Sequence, residues 1–239
     1  MLLHGAVSDS RVWRLQLDSF ADAFTVVAWD APGCGASDDR DDFTMGDFAE
    51  SLAGLIAALQ LEPAHVLGHS WGSSLALELY RRHPEIVRSL VLVGAYAGWA
   101  GSLPADEVSK RLAFALSVAA QGRGGFEPRS MPGLFSEAMS PERTEELVTI
   151  MSEIRPSGTR AMALALAETD QRDMLATVDV STLLVYGDAD ERSPLSVARQ
   201  IHASIPGSTL EVLPGLGHEC YLEDPRAFES VVRAFLSGT

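Results

Sequence analysis

The sequence predicts an α/β protein with a mostly parallel sheet of about six strands and one all-helical insertion. Three observations carry that expectation. Short apolar runs of strand length alternate with stretches whose apolar residues recur at helical spacing, the pattern of parallel strands joined by right-handed crossovers. A Gly-x-Ser-x-Gly pentad at residues 68–72 stands between one such run and one such helix. Residues 95–178 break the alternation and hold no convincing strand. At 239 residues the chain suits a single unit of this class, and its 46% hydrophobic residues supply a large core.

Each element has its own signal. Residues 1–4 (M-L-L-H) form the first strand, and Gly5-Ala6 open the loop after it. Residues 25–29 (T-V-V-A-W) form the second. A helix over 45–59 follows: Phe48, Leu52, Leu55 and Leu59 share one face, and Thr44 with Asp47 makes a capping box at its start. Strand 64–68 leads through the pentad into a helix over 73–83, which Pro84 ends, and then into strand 90–94. Inside 95–178, Val108, Leu112, Ala115 and Ala119 recur at helical spacing, as do Leu147, Ile150, Met151 and Ile154. Gln121 to Gly125 is a flexible break, and residues 158–169 are a third helix after Pro156. Five of the seven methionines (Met131, Met139, Met151, Met162, Met174) lie here, which suits helix packing first and an adaptable apolar pocket second. Strands 182–186 and 209–213 complete the sheet, and Pro225 opens the last helix.

The pentad Gly68-His69-Ser70-Trp71-Gly72 is where chemistry first shows. A turn this tight needs glycine on both sides of the serine. The Ser70 hydroxyl then projects from the top of the sheet. The backbone N–H groups of Ser70 and Trp71 lie near the start of a helix, where partial positive charge favours an oxyanion. A serine hydroxyl is a poor nucleophile without a base in hydrogen-bond reach. Of six histidines, His218 sits in a loop after a late strand, and Asp188 and Asp190 both follow strand 182–186. His69, next to Ser70, is expected to point the opposite way. His65, His83 and His202 read as structural. His65 and His69 are four apart but not on a helix and not in an H-E-x-x-H motif, so they make no zinc site.

Five ordered segments together resemble the α/β-hydrolase fold enzymes. They are Leu2-Leu3-His4-Gly5-Ala6, the Asp30 to Ser37 loop (D-A-P-G-C-G-A-S), the pentad, Gly187-Asp188-Ala189-Asp190 with Pro194, and Gly217-His218 followed by Glu223-Asp224-Pro225. The resemblance covers nearly the whole chain. It implies Ser70 as nucleophile, His218 as base and Asp190 as the acid that orients it. Asp190 is preferred over Asp188 because G-x-x-D with proline four residues on is the family pattern. It implies Ala6 and Trp71 as backbone donors of an oxyanion hole, with His4 holding that loop by hydrogen bonding. The insertion 95–178 is what a cap looks like in this family, with 1–94 and 179–239 as the two parts of the core. No Asp or Glu lies between Gly94 and Pro104, which closes the alternative position for the acid.

The implied activity is hydrolysis of a small or medium carboxylic ester, lactones included, through an acyl-enzyme, with no cofactor and no metal. C–C bond hydrolysis is an alternative, as is a proline-iminopeptidase-like aminopeptidase. Ser70-Trp71-Gly72-Ser73 resembles the latter group, but its selectivity needs cap acids such as Glu137, Glu142, Glu145, Glu146, Glu153 or Glu168. The loop reads H-G-A-V, neither H-G-G-G nor H-G-G-P-G, a departure from the hormone-sensitive-lipase-like esterases and from the iminopeptidases. Epoxide hydrolases and haloalkane dehalogenases need a carboxylate where Ser70 stands. A receptor that keeps the triad and turns over slowly is the reading from a different class. Family members carry a hairpin ahead of the H-G loop, and only Met1-Leu2-Leu3 precede His4 here. The expectation is therefore a reading frame that starts upstream of Met1, or a chain that was cut. The sheet is expected to have strand 25–29 at one edge unless a partner chain covers it.

The formal net charge of −15 argues against nucleic acid and anionic membrane surfaces as partners and leaves a small-molecule substrate. Cys34 and Cys220 form no C-x-x-C and no secreted framework, which points to a reducing compartment. No apolar run reaches membrane-spanning length, and the first residues lack the basic end of a signal peptide. The expectation is a cytoplasmic monomer or homodimer.

Overall fold

A computed structural model describes residues 1–40, 42–122 and 124–239. Arg123, in the expected break at 121–125, lies outside the described residues. The strands are β1 (Leu2–Leu3), β2 (Ala28–Trp29), β3 (Ala64–His69), β4 (Val87–Val93), β5 (Ser181–Gly187) and β6 (Thr209–Leu213). The helices are α1 (Arg14–Phe20), α2 (Met45–Ala58), α3 (Trp71–Arg82), α4 (Trp99–Ser102), α5 (Ala105–Gln121), α6 (Pro141–Ser152), α7 (Pro156–Glu168), α8 (Leu195–Ser204), α9 (Cys220–Glu223) and α10 (Pro225–Leu236). The six strands form one parallel sheet in the order β2-β1-β3-β4-β5-β6.

The central strands read as unbroken apolar runs because both sheet faces are covered. Side chains alternate between the faces. Leu3, Leu90, Leu92, Leu184 and Tyr186 join one cluster, which also takes Phe48, Leu52 and Ile56 of α2, Leu75 of α3 and Ile201 of α8. Leu2, Leu67, Val91, Val93, Leu183 and Val185 join the other, with Trp13, Phe20 of α1 and Phe228 and Val232 of α10. Each of these fully buried large side chains contributes about 1.5–3 kcal/mol relative to exposure.

Two expectations are corrected in detail. Residues 25–29 pair only at Ala28 and Trp29, because their single neighbour β1 offers two rungs: Leu2 opposite Ala28 and Leu3 opposite Trp29. As expected, this strand is at a sheet edge. The capping box of α2 is present, Asp47 N–H donating to Thr44 Oγ1 and Thr44 N–H to Asp47 Oδ2. The buried face, however, runs Met45, Phe48, Ala49, Leu52 and Ile56. Leu59 falls at the end of the helix and is 46% exposed.

Between β4 and β5 the described residues hold helices and no strand. Helix α7 packs Ala161, Met162, Ala165 and Leu166 onto the first cluster, and Leu147, Ile150 and Met151 of α6 join the second. The entry to α7 touches the loop after β2 at backbone distance. A Cβ on Gly158 would stand 2.3 Å from the Gly33 carbonyl oxygen, and one on Gly33 would stand 2.7 Å from Gly158 Cα. Arg155 donates to the carbonyl of Cys34 at 2.9 Å and to that of Ser37, and pairs with Asp39 at 3.1 Å. No described helix is long and apolar enough to cross a membrane.

Candidate active site

Strand β3 ends where Ser70 takes φ 52° and ψ −111°, a backbone state that costs about 1–3 kcal/mol for a residue with a side chain. The chain turns so sharply that a Cβ on Gly68 would lie 2.2 Å from the Gly72 carbonyl oxygen, and one on Gly72 would lie 2.4 Å from that of Leu3. Only glycine fits at both places. The Ser70 N–H is not available to a ligand, contrary to expectation: it donates to the Val93 carbonyl at 2.8 Å. The Trp71 N–H, in the first turn of α3, has no partner among the described residues, and neither has that of Ala6.

His218 lies in the loop between β6 and α9, with 2% of its surface exposed. Its Nδ1 meets Asp190 Oδ2 at 2.8 Å. Asp190 Oδ1 accepts from the backbone N–H groups of Arg192 and Ser193, each at 2.8 Å. Burial works against this carboxylate. The charge of His218 and the three hydrogen bonds outweigh it and hold the group below the ordinary Asp value. A carboxylate on Nδ1 makes that nitrogen the donor and leaves Nε2 with the lone pair. Asp188 faces elsewhere: its Oδ1 accepts from the Gly215 N–H at 2.6 Å and braces the turn after β6.

His4 fixes the loop after β1. Its Nδ1–H donates to the Gly5 carbonyl at 2.7 Å and its Nε2 accepts from the Ala31 N–H at 3.2 Å. Burial lowers its pKa, which suits the neutral ring these two bonds require.

Ser70, His218 and Ala6 line one small cavity of about 40 Å³. It shares Ala6, Val7, Trp99, Met131 and Arg192 with a larger one of about 400 Å³ that α5 lines from the other side. His69 also lines the small cavity, against expectation. The positive φ at Ser70 breaks strand alternation, so neighbouring side chains no longer point to opposite faces. The His69 ring sits 4.7 Å from that of His218, centroid to centroid, and its Nε2–H donates to the His218 carbonyl at 3.1 Å. Its Nδ1 faces Glu219 Oε2 at 3.8 Å, and neither atom has a hydrogen-bond partner among the described residues. Burial pushes the His69 pKa well down and that of Glu219 up, so both tend to the neutral form.

Sequence reasoning passed over Glu219 and Arg192. One signal for Glu219 was present: an acid beside His218 that leads straight into the apolar Cys220-Tyr221-Leu222. Arg192 gave none, since an arginine after Asp190-Glu191 reads as surface. Of the expected cap acids, Glu137, Glu142, Glu145, Glu146, Glu153 and Glu168 line neither cavity. Among the described residues, no group of three or more His, Cys, Asp and Glu side chains is placed to hold a metal ion.

Residues 1–231 match the alpha/beta hydrolase family. A pimeloyl-[acyl-carrier protein] methyl ester esterase of Neisseria meningitidis serogroup B is 30% identical, covering 99% of this chain and 92% of its own. Among solved structures, a thermophilic esterase from Thermogutta terrifontis with malate bound superposes with a TM-score of 0.91. It is 28% identical, over 99% of this chain and 88% of its own. An esterase from Exiguobacterium antarcticum gives a TM-score of 0.83 at 26% identity, over 98% and 90%.

Proposed function

The chain belongs to the alpha/beta hydrolase family, and we propose that it is a serine esterase acting on small or medium carboxylic esters. One observation carries the reading: Ser70, on its sharp turn, shares a cavity with a histidine whose far nitrogen is held by a buried carboxylate. Likeness to esterases along nearly the whole chain supports it.

In this reading Ser70 Oγ attacks the ester carbonyl carbon while His218 Nε2 takes the hydroxyl proton. The carbonyl oxygen becomes an oxyanion and receives the free N–H groups of Ala6 and Trp71. Collapse breaks the bond to the alcohol oxygen, which leaves with the proton from His218, and the acyl group stays on Ser70. Water then loses a proton to His218 and attacks the acyl carbon, which releases the acid and restores Ser70. Asp190 fixes the tautomer and supports the imidazolium in both halves. A lactone follows the same steps, its leaving alcohol remaining tethered. The helices of residues 95–178 serve as a cap over this chemistry.

A fluorophosphonate should label Ser70 in the wild type and not in Ser70→Ala. Turnover of an activated ester should continue many equivalents past the first. Product that stops at one equivalent per site would instead favour the receptor reading.

A further inference from the structure

The cavity over Ser70 contains a cation that the hydrolytic steps do not use. The Arg192 backbone serves Asp190 through its N–H, and its carbonyl accepts from Tyr96 Oη and Arg111 Nη1. Its side chain lines both the small and the large cavity. One guanidinium nitrogen, Nη1, donates to the Pro132 carbonyl at 3.0 Å. Among the described residues no carboxylate is within ion-pair distance of Arg192.

A second guanidinium is close by. Arg111 of α5 has a side chain 17% exposed and lines the large cavity. Its Nη1 reaches Tyr96 Oη at 2.9 Å and the Arg192 carbonyl at 3.0 Å. The acids that line these cavities do not neutralise Arg192. Glu107 is engaged by Arg111 Nε at 2.7 Å. Glu191 is exposed and pairs with neither arginine. Glu219 is held toward its protonated form by burial. Burial is the main cause that lowers the Arg192 pKa; Tyr96, Asp190 and Glu219 raise it and the charge of Arg111 lowers it, with the net shift downward. In a chain of net charge −15, a cavity lined by Lys110, Arg111 and Arg192, with Glu107 paired to Arg111 and no described carboxylate within ion-pair distance of Arg192, is an arrangement that a bound anion would complete. The planar fork of arginine suits a carboxylate.

We propose that Arg192, backed by Arg111, is an anion subsite beside Ser70, and that the preferred substrate is an ester carrying a second, free carboxylate. This deepens the esterase reading and rests on it. The free carboxylate can belong to the acyl half, as in the half-ester of a dicarboxylic acid, or to the alcohol half, as in the acyl ester of a hydroxy acid.

The test compares kcat/KM for matched pairs. Monomethyl succinate, glutarate, adipate and pimelate are set against methyl esters of monocarboxylic acids of like length. O-acetyl hydroxy acids are set against acetates of plain alcohols. One series should show a preference of about tenfold to a hundredfold for the anion, carried mainly by KM. The preference should shrink as salt rises and should fall by about tenfold or more in Arg192→Gln and in Arg111→Gln. Neutral esters cleaved as fast as anionic ones in both series would overturn the subsite, as would a preference that both variants keep. Binding gives a readout independent of turnover. Monomethyl adipate and O-acetyl-4-hydroxybutyrate, titrated calorimetrically into Ser70→Ala, should bind at least one of the two about tenfold more tightly than the same protein with Arg192→Gln added. Equal or absent binding of both overturns the subsite. Absence of turnover and of phosphonate labelling, with this binding intact, would instead remove the esterase reading and leave the subsite standing.

Discussion

Helices α3 and α5 show two ways this chain uses a helix. Helix α3 buries ten of its twelve residues, while α5 buries one of its seventeen, Val118. The first is clamped between sheet and helices behind Ser70. The second turns Arg111, Phe114, Ala115 and Val118 toward a cavity of about 400 Å³. Of the apolar stripe read from the sequence, Val108 and Leu112 pack, partly buried, against the first cluster while Ala115 lines the cavity, so one stripe serves both the core and a cavity wall. Where the stripe meets a cavity, packing constrains its residues weakly, and their chemistry is open to set selectivity. The sheet side carries the proposed reacting groups, and α5 and α6, which bury one of seventeen and three of twelve residues, are packed less deeply than α7, which buries eight of thirteen.

The contrast is sharpest at Ser70. Ser70→Ala should lower ester turnover on the order of 10⁴-fold or more, because the proposed nucleophile, base and acid act as one unit. The melting temperature should stay within a few degrees, since alanine at φ 52° bears the same strain as serine. A variant that kept a tenth of the activity would remove Ser70 from its role. Asp190→Asn should follow, near 10⁴-fold, while Asp188→Asn, which loosens one turn, should cost less than about tenfold. The reverse ranking would move the acid to Asp188.

Stability should divide along the same line. Leu184 of β5 has no exposed surface and faces helices on one side of the sheet. Leu184→Ala should cost about 2–5 kcal/mol in a denaturant titration. Val118 is the one buried residue of α5, whose other apolar side chains are at most partly buried and, at Phe114 and Ala115, border the cavity of about 400 Å³, so Val118→Ala should cost under about 1.5 kcal/mol. Equal losses would mean that α5 belongs to the core as firmly as the sheet does.

The two parts also differed in how legible they were. Strands β3 to β5 could be read because burial on both faces demands largely apolar runs, and the residues at 68 and 72 flanking the turn because steric closure admits only glycine. Asp190 was distinguished from Asp188 by a family spacing, not by anything intrinsic to the two side chains. Strand β2 was overread, since a run of strand length says nothing of how many rungs a neighbour offers. His69 was misplaced by assuming strand alternation through a residue that breaks it. Arg192 was invisible for a different reason: its neutralising partner, or the lack of one, depends on which acids α5 and the loop after β6 bring near.

Glu219, beside His218 on the sheet side, offers a pH test. Its buried carboxyl titrates above the ordinary value of 4.5 in the folded chain. As pH rises past 4.5, the unfolded chain gives up this proton and the folded one keeps it. Stability therefore falls with rising pH until the folded group ionises as well. Glu219→Gln removes that dependence. Its melting temperature should equal the wild type's near pH 4 and exceed it increasingly toward neutrality. A variant less stable than wild type at neutral pH would mean that the ionised carboxylate has a partner in the fold.

The smallest effect belongs to the seam between the early chain and α6. Arg14 donates to Glu146 through Nε and Nη2, at 3.1 and 3.0 Å, and Arg11 pairs with Glu153 at 2.6 Å. The Arg14 and Glu146 side chains are 58% and 35% exposed, so water and salt screen most of their attraction. Arg14→Gln should thus change global stability by less than about 1 kcal/mol. Helix α6 also packs Leu147 and Ile150 beneath this seam, which limits how far it can leave. The local effect should nevertheless be measurable. Amide exchange in α6 should quicken several-fold at low salt while that in α3 stays unchanged, and the difference should fade in about 1 M salt, where screening acts within ~3 Å. Exchange that quickened equally in α3 and α6 would mean that the two helices open as one unit, and the distinction between deeply and sparsely buried helices would fail.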